Sequence, residues 1–191
     1  MTGVQPGSAQ LLRDIVDGYS STPRLFTVSG NRAFFVAYEE ATGTELWVTN
    51  GTAGGTRLVS DIAPGWFGSN ISNLVAFRGG VAFVANDGTN GYELWTSDGT
   101  AAGTRLVLDL AEGFSGSASA VTADGVMGRQ LFFAANGNGL GTELWVTDGT
   151  AAGTRLVHDI GSGSISGQVS DVQVAGSQVF FQAYTGAAGY E

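Results

Sequence analysis

Short apolar runs separated by glycine-rich polar clusters recur along the whole chain. From Ser69 to Leu110 the sequence SNISNLVAFRGGVAFVANDGTNGYELWTSDGTAAGTRLVLDL holds four such runs, rich in Val, Phe, Leu and Trp. They predict strands at Ser72 to Phe77, Val81 to Ala85, Tyr92 to Ser97 and Thr104 to Leu110. The breaks are Arg78-Gly79-Gly80, the stretch from Asn86 to Gly91, and Asp98-Gly99-Thr100-Ala101-Ala102-Gly103. Each supplies glycine for positive φ and an Asp, Asn or Arg flank; the Asp and Asn side chains can bond their own backbone, which is hairpin chemistry. One unit therefore reads as a four-stranded antiparallel meander. Strict alternation is absent: in Val81-Ala82-Phe83-Val84-Ala85 every residue is apolar, as expected when both faces of a sheet are covered.

The unit repeats. ELWVTNGTAGGTRLVSDI begins at Glu45, ELWTSDGTAAGTRLVLDL at Glu93 and ELWVTDGTAAGTRLVHDI at Glu143, spaced 48 and 50 residues apart, and Tyr190-Glu191 opens a further copy 48 residues on. QLLRDI, from Gln10 to Ile15, matches the tail of a unit and places Asp14, Asp61, Asp109 and Asp159 in one register. The chain divides into a lone outer strand (1–15), units 16–62, 63–110 and 111–160, and an incomplete unit 161–191, read together as a single repeat domain. Four strands per unit at this period predict an all-β fold, a β-propeller of about four blades in this chain. A stacked solenoid is the alternative, though its coils usually repeat at about 20 to 45 residues. The outer strand Leu11 to Ile15 is expected to join strands near Val169 to Val174 and Gln178 to Tyr184, splitting the last blade between the termini and hiding a sheet edge. That blade would lack its third strand, so either further blades follow or two chains pair into a larger ring.

Comparing the copies separates scaffold from free positions. Glu45, Glu93 and Glu143 open the third strand of each unit, followed by Leu46, Leu94 and Leu144 and by Trp47, Trp95 and Trp145. Tryptophan buries a large area and wants one partner for its N–H, so this row reads as inter-blade wedges, with a row of sugar-stacking platforms as the alternative. The turn Asp98-Gly99-Thr100 recurs at Asp148 and, with Asn50 in place of Asp, at Asn50-Gly51-Thr52. Asp and Asn both cap a turn, but only Asp carries charge, so the exchange favours a structural turn over a calcium site, which stays as a minor alternative. Arg57, Arg105 and Arg155 stand four residues before Asp61, Asp109 and Asp159, on one side of a strand. They predict a repeated charged or hydrogen-bonded tie between strands or blades; Gln10 replaces the arginine in the N-terminal copy.

The variable segments fall elsewhere. In propeller topology the connections between units share one face with the hairpins joining second and third strands. Those connections carry Tyr19 in Val16 to Pro23, Trp66 and Phe67 in Ala63 to Asn70, and Phe114 in Ala111 to Ser119, with Gly161 to Gln168 as the fourth. The hairpins add Tyr38-Glu39-Glu40, Asn86-Asp87, Asn136-Gly137-Asn138 and Tyr184. Loops on a rigid scaffold usually hold recognition, so Tyr19, Trp66, Phe67, Phe114, Glu39, Glu40 and Asp87 are the candidate ligand-binding residues. The competing reading folds these aromatics back over the blade edges.

Composition narrows the partners. The 191 residues carry net charge −9, and all eight basic residues are arginine, so no basic stripe is available to neutralise phosphates and nucleic acid is not expected as a partner. Cysteine is absent, and 31 glycines against three prolines suit many tight turns. No apolar run approaches the ~20 residues of a membrane helix, so membrane insertion is not expected. The first twenty residues lack the basic and apolar regions of a signal peptide.

No nucleophile elbow, phosphate-cradling loop, HExxH or cysteine pair occurs. His158 stands where the other copies have Ser60, Leu108 and Arg13, so the scaffold does not need it. Glu39, Glu40 and Asp87 could supply carboxylates for glycoside chemistry, the basis of a sialidase-like alternative. Near-identical units argue against an enzyme, because an active site needs unlike residues converging at one point. No cofactor is expected.

At ELWVTDGTAAGTRL the chain resembles the bacterial ELWxxDGT-repeat proteins, in three full copies and a truncated fourth, with Asn50 the departure. The resemblance covers the chain from Leu11 onward. It implies propeller-like tandem repeats in secreted or surface proteins of bacteria, and no activity assignable to a residue. The leading expectation is a non-enzymatic extracellular scaffold binding a glycan or protein through the variable face. A module that completes its broken blade with another chain, forming a homo-oligomer, is the alternative.

Overall fold

Each glycine-rich break returns the chain antiparallel to itself, so successive runs pair into meanders. The computed structural model describes residues 10–111, 118–120, 125–137, 139–161 and 166–191. The first sheet holds β1 (Arg24–Ser29), β2 (Arg32–Glu39), β3 (Gly43–Thr49) and β4 (Arg57–Ser60) in chain order. The second repeats this with β5 (Ser72–Phe77), β6 (Gly80–Asn86), β7 (Tyr92–Ser97) and β8 (Arg105–Leu106). In the third, β9 (Ala118–Ala120) and β10 (Val126–Met127) both pair with β11 (Gln130–Asn136), followed by β12 (Thr142–Thr147) and β13 (Arg155–His158). The fourth is β14 (Ser170–Ala175) paired with β15 (Gln178–Gln182), and β16 (Tyr184–Thr185) and β17 (Gly189–Tyr190) form a separate two-stranded sheet after it.

The fold is all-β; its first two units are four-stranded antiparallel meanders, and the third has two short strands, β9 and β10, where the others have one. Phe35 lies opposite Trp47, Phe83 opposite Trp95, and Phe133 opposite Trp145. The fourth strand of the second unit is shorter than the Thr104 to Leu110 expected, because regular pairing ends after Arg105 and Leu106 and only the Val107 amide bonds back to Leu94 O, at 2.9 Å. The first strands bulge at one repeated position, where Leu25, Asn73 and Asp171 have φ of 55°, 51° and 50°. Asn and Asp tolerate this left-handed region; Leu25 is held there at a cost its counterparts do not bear.

The alternation of strand side chains gives each sheet two apolar faces, and each sheet packs face to face on the next. Phe34, Val36, Leu46 and Val48 of the first sheet meet Val81, Phe83, Ala85 and Trp95 of the second. Ala82, Val84 and Leu94 on the far side of the second meet Leu131, Phe133, Ala135 and Trp145 of the third. Phe132, Ala134, Leu144 and Val146 then meet Val172, Val179, Phe181 and Ala183 of the fourth. Trp95 and Trp145 thus face the preceding sheet, and Trp47 faces the N-terminal segment at Ile15. Trp145 Nε1 donates to Ala135 O at 3.1 Å, whereas Trp47 and Trp95 Nε1 have no partner among the described residues, departing from the expectation of one each.

The segment expected to form the lone outer strand is not a strand. Leu11 to Asp14 lie outside any sheet, and no described N-terminal residue pairs with β14 or β15. The segment lies against a sheet face, where no backbone edge is offered. Ile15 packs on Phe35, Ala37 and Trp47, Arg13 stacks on the Trp47 ring and donates to Thr56 O at 2.6 Å.

The repeated turns and arginines lock neighbouring sheets. Asp98 Oδ1 accepts from Thr100 N and Oγ1, at 2.9 and 2.7 Å, and Asp148 does the same with Thr150. Asn50 Oδ1 makes the identical pair of bonds to Thr52, so this turn needs an acceptor and not a charge. Arg57 donates to Gly99 O at 2.6 Å and Arg105 to Gly149 O at 3.4 Å, each reaching the turn of the next sheet. The arginine tie therefore runs between sheets as a hydrogen bond to carbonyl. Its expected same-strand aspartates Asp61 and Asp109 form no ion pair with it among the described residues.

Candidate functional site

The connection from β4 to β5 carries the most exposed aromatic pair of the candidate set. Trp66 is 71% and Phe67 75% exposed, with ring centroids 4.6 Å apart. They line a cleft of about 390 Å³ together with Pro64, Asn70, Asn86 and Asp87. The structure thus brings Trp66, Phe67 and Asp87 together, on a face shared by an inter-unit connection and a second-to-third-strand hairpin. Glu39 and Glu40 do not line this cleft. Glu39 accepts from Thr42 Oγ1 at 3.0 Å within its own hairpin, and Glu40 is exposed at the turn. Tyr19 is exposed on the corresponding connection of the first unit. Phe114, Asn138 and residues 162–165 of the fourth connection lie outside the described residues.

Asp87 is firmly ionised. Burial opposes its charge, but the amides of Asn90 and Thr89 and the Asn90 side chain outweigh it and hold the carboxyl below its usual value. Oδ1 accepts from Thr89 N at 2.9 Å and Asn90 N at 2.8 Å, and Oδ2 from Asn90 Nδ2 at 2.7 Å. A carboxylate so held is a fixed negative wall and a poor proton donor. Asn86 Oδ1 accepts from Gly88 N at 2.7 Å, which keeps the same hairpin rigid.

The loop bearing Trp66 and Phe67 is anchored at both ends by one buried residue. Glu45, on β3, is fully buried; its Oε1 accepts from Ala63 N at 3.2 Å and its Oε2 from Ser69 Oγ at 2.6 Å. Burial pushes its carboxyl up to about 7, against hydrogen bonds from Ser69, Ala63 and Ile62, and the nearby Asp61 charge adds to the rise. Ser69 N also donates to Thr44 O at 3.2 Å. Here glycine is required: a Cβ on Gly43 would lie 2.5 Å from Gly68 N and from Trp66 O, and one on Gly68 2.3 Å from Thr44 N. Sequence reasoning placed Glu45 in the scaffold and missed that it holds the loop. The readable signal was a charged residue inside the apolar run Leu46-Trp47-Val48, which has to be satisfied from somewhere.

On the opposite edge a cleft of about 190 Å³ lies between the turns of the second and third sheets, lined by Arg78, Asp98, Arg105 and Asp148 among others. Arg78 donates to Asp148 O and pairs with its carboxylate at 3.9 Å. Arg32 donates to Asp98 O and, at 2.9 Å, to Gly79 O. These groups are occupied in joining sheets. Among the described residues no three His, Cys, Asp or Glu side chains gather to hold a metal, and His158 lies exposed on β13. No described helix is long and apolar enough to cross a membrane.

No family model and no curated protein matches the chain. Two solved structures do. One is a puromycin hydrolase mutant complexed with PGG, at TM-score 0.53 and 16% identity, covering 91% of this chain and 26% of that one. The other is puromycin hydrolase, at TM-score 0.51 and 19% identity, with the same coverages. The chain spans about a quarter of the length of these structures, and at such identity the likeness establishes a shared all-β fold and nothing of activity.

Proposed function

We propose that this protein is a non-enzymatic propeller scaffold that binds a glycan through the connections on one face, with Trp66 and Phe67 as the contact platform. The period of 48 to 50 residues and the face-to-face stacking of four-stranded sheets support the propeller reading. The observation that carries the binding reading is the exposed Trp66–Phe67 pair at the mouth of a cleft whose other wall is the ionised, rigid Asp87 hairpin. Aromatic faces take the apolar side of a sugar ring, and a fixed carboxylate and amides take its hydroxyls. The resemblance to bacterial ELWxxDGT-repeat proteins supports a location outside the cell or on its surface. A glycan array followed by titration calorimetry tests the proposal. Trp66→Ala is expected to weaken binding about tenfold or more, since a central aromatic dominates a small site. Equal binding by the mutant overturns the assignment of this face.

A second reading, an assembly module, is favoured by the outer face of the first sheet, where Ile15 and Arg13 cover Trp47 but the first strand stays open. There Phe26 and Val28 are 63% and 70% exposed, at the face where every later sheet carries a predecessor. In this reading a second copy covers that face, so light scattering is expected to give twice the chain mass. A strict monomer removes it.

A further inference from the structure

Two of the glutamates that open the ELW runs do the same task on loops of different sequence. Glu45 takes Ala63 N at one end of its connection and Ser69 Oγ at the other, 18 and 24 residues further on. Glu143 takes Ile160 N at 2.9 Å and Gly167 N, 17 and 24 residues further on. Both carboxylates are fully buried. The loops they span share no motif: Pro64-Gly65-Trp66-Phe67-Gly68 in one, a Gly- and Ser-rich stretch in the other. The anchoring residues adapt to the same geometry. Where the first loop uses a serine hydroxyl, the third unit brings the backbone itself to the carboxylate at Gly167, and a Cβ there would lie 2.5 Å from Glu143 Oε2. A buried carboxyl needs such partners, because a polar group left unsatisfied away from water is costly.

We infer that Glu45 and Glu143 are loop-positioning residues, each closing an inter-unit connection as a cassette whose ends are fixed and whose middle is free to change. For Glu45 this rests on the binding reading above, since its cassette presents Trp66 and Phe67. It accounts for one fact that packing alone leaves open: at Glu45 and Glu143 an ionisable residue is kept at 0% exposure near the start of an otherwise apolar strand. The cassette arrangement lets recognition residues differ from unit to unit while the sheets beneath stay nearly identical.

Amide hydrogen exchange on the 191-residue chain tests this without any ligand. Glu45→Gln replaces one acceptor oxygen by a donor, and is expected to speed exchange across residues 62–69 about tenfold or more, while β2 and β3 keep their protection. Glu143→Gln is expected to do the same at residues 160, 161 and 166–169 and leave 62–69 unchanged. Ser69→Ala, which leaves the carboxylate intact, releases the distal end alone and covers the case in which the Glu45 variant does not fold. Unchanged loop protection in these variants overturns the inference, as does a loss spread evenly over the first sheet. Because the measurement involves no glycan, a confirmed clamp with no glycan binding would remove only the binding reading, and binding with an unaltered loop in Glu45→Gln would remove only the clamp.

Discussion

Truncating Phe83 to alanine is expected to cost about 3–5 kcal/mol of stability, the range for emptying a fully buried phenylalanine site. Phe83 sits in the interface of the first and second sheets, fully buried against Phe34, Val36, Leu46 and Ile71. Little can collapse into the hole, because both sheets are held by their own hydrogen-bond ladders and by Arg57 reaching Gly99. The same truncation at Phe180 is an internal control. That residue lies on the outer face of β15, 54% exposed, and its loss is expected to change stability by about 0.5 kcal/mol. Urea denaturation followed by far-UV circular dichroism checks both, with m-values showing whether the sheets still unfold together. Equal losses at the two sites would mean that the sheets do not share the interface described.

Stability is expected to fall as pH rises from about 4.5 to 7, and Glu45 is the cause. Its folded value lies above the unfolded one, so between these pH values the folded chain holds a proton that the unfolded chain has lost. The unfolded state then binds fewer protons, and raising pH favours it. A displacement from 4.5 to about 7 corresponds to a loss of about 3 kcal/mol, complete above the folded value. Desolvation supplies the rise, and Asp61 is the neighbouring charge that adds to it. The lowered carboxyls act in the opposite sense and in another window. Asp87 and Asp98 contribute stability present above the usual aspartate range and lost only in stronger acid. Denaturation curves between pH 5 and 8 separate the two, and Glu45→Gln is expected to flatten the slope. A stability that rises over that interval, or a slope that survives in the variant, sinks this account.

Much of the molecule was legible because the chain contains its own control. Glycine, Asn and Asp at fixed offsets marked the turns, and the pervasive apolar character of Val81 to Ala85 announced a sheet covered on both sides, as the stacking of Phe83 and Val84 into different interfaces shows. The Asn50 exchange pointed to a capping acceptor, and Asn50 and Asp98 make the same two bonds to the threonine two residues on. Arg57 and Asp61 were less readable. Period two placed them on one side of a strand, but a strand pattern carries no information about the neighbouring sheet, and the guanidinium found a carbonyl there. Leu11 to Ile15 had the letters of an outer strand and took its place in packing, yet forms no ladder, since pairing needs an edge at the right distance.

The candidate site shows the same division. Trp66, Phe67 and Asp87 could be named from variability between copies, but 20 residues separate Phe67 from Asp87, and their meeting at one cleft depends on how the first sheet hands the chain to the second. Glu39 and Glu40 looked equally eligible and line no part of it. The sequence alone determined the pairing strands of the full units, their turns and the unit length, because those follow from local periodicity and backbone preference repeated in near-identical copies. Only the tertiary structure decided that the ELW glutamate holds a loop, that the arginines tie sheet to sheet, and that Trp66 stands exposed while Trp47 is buried. Each of these depends on a partner 17 to 44 residues away or on the presence of a neighbouring sheet, and burial and hydrogen bonding at that range are settled by packing in three dimensions.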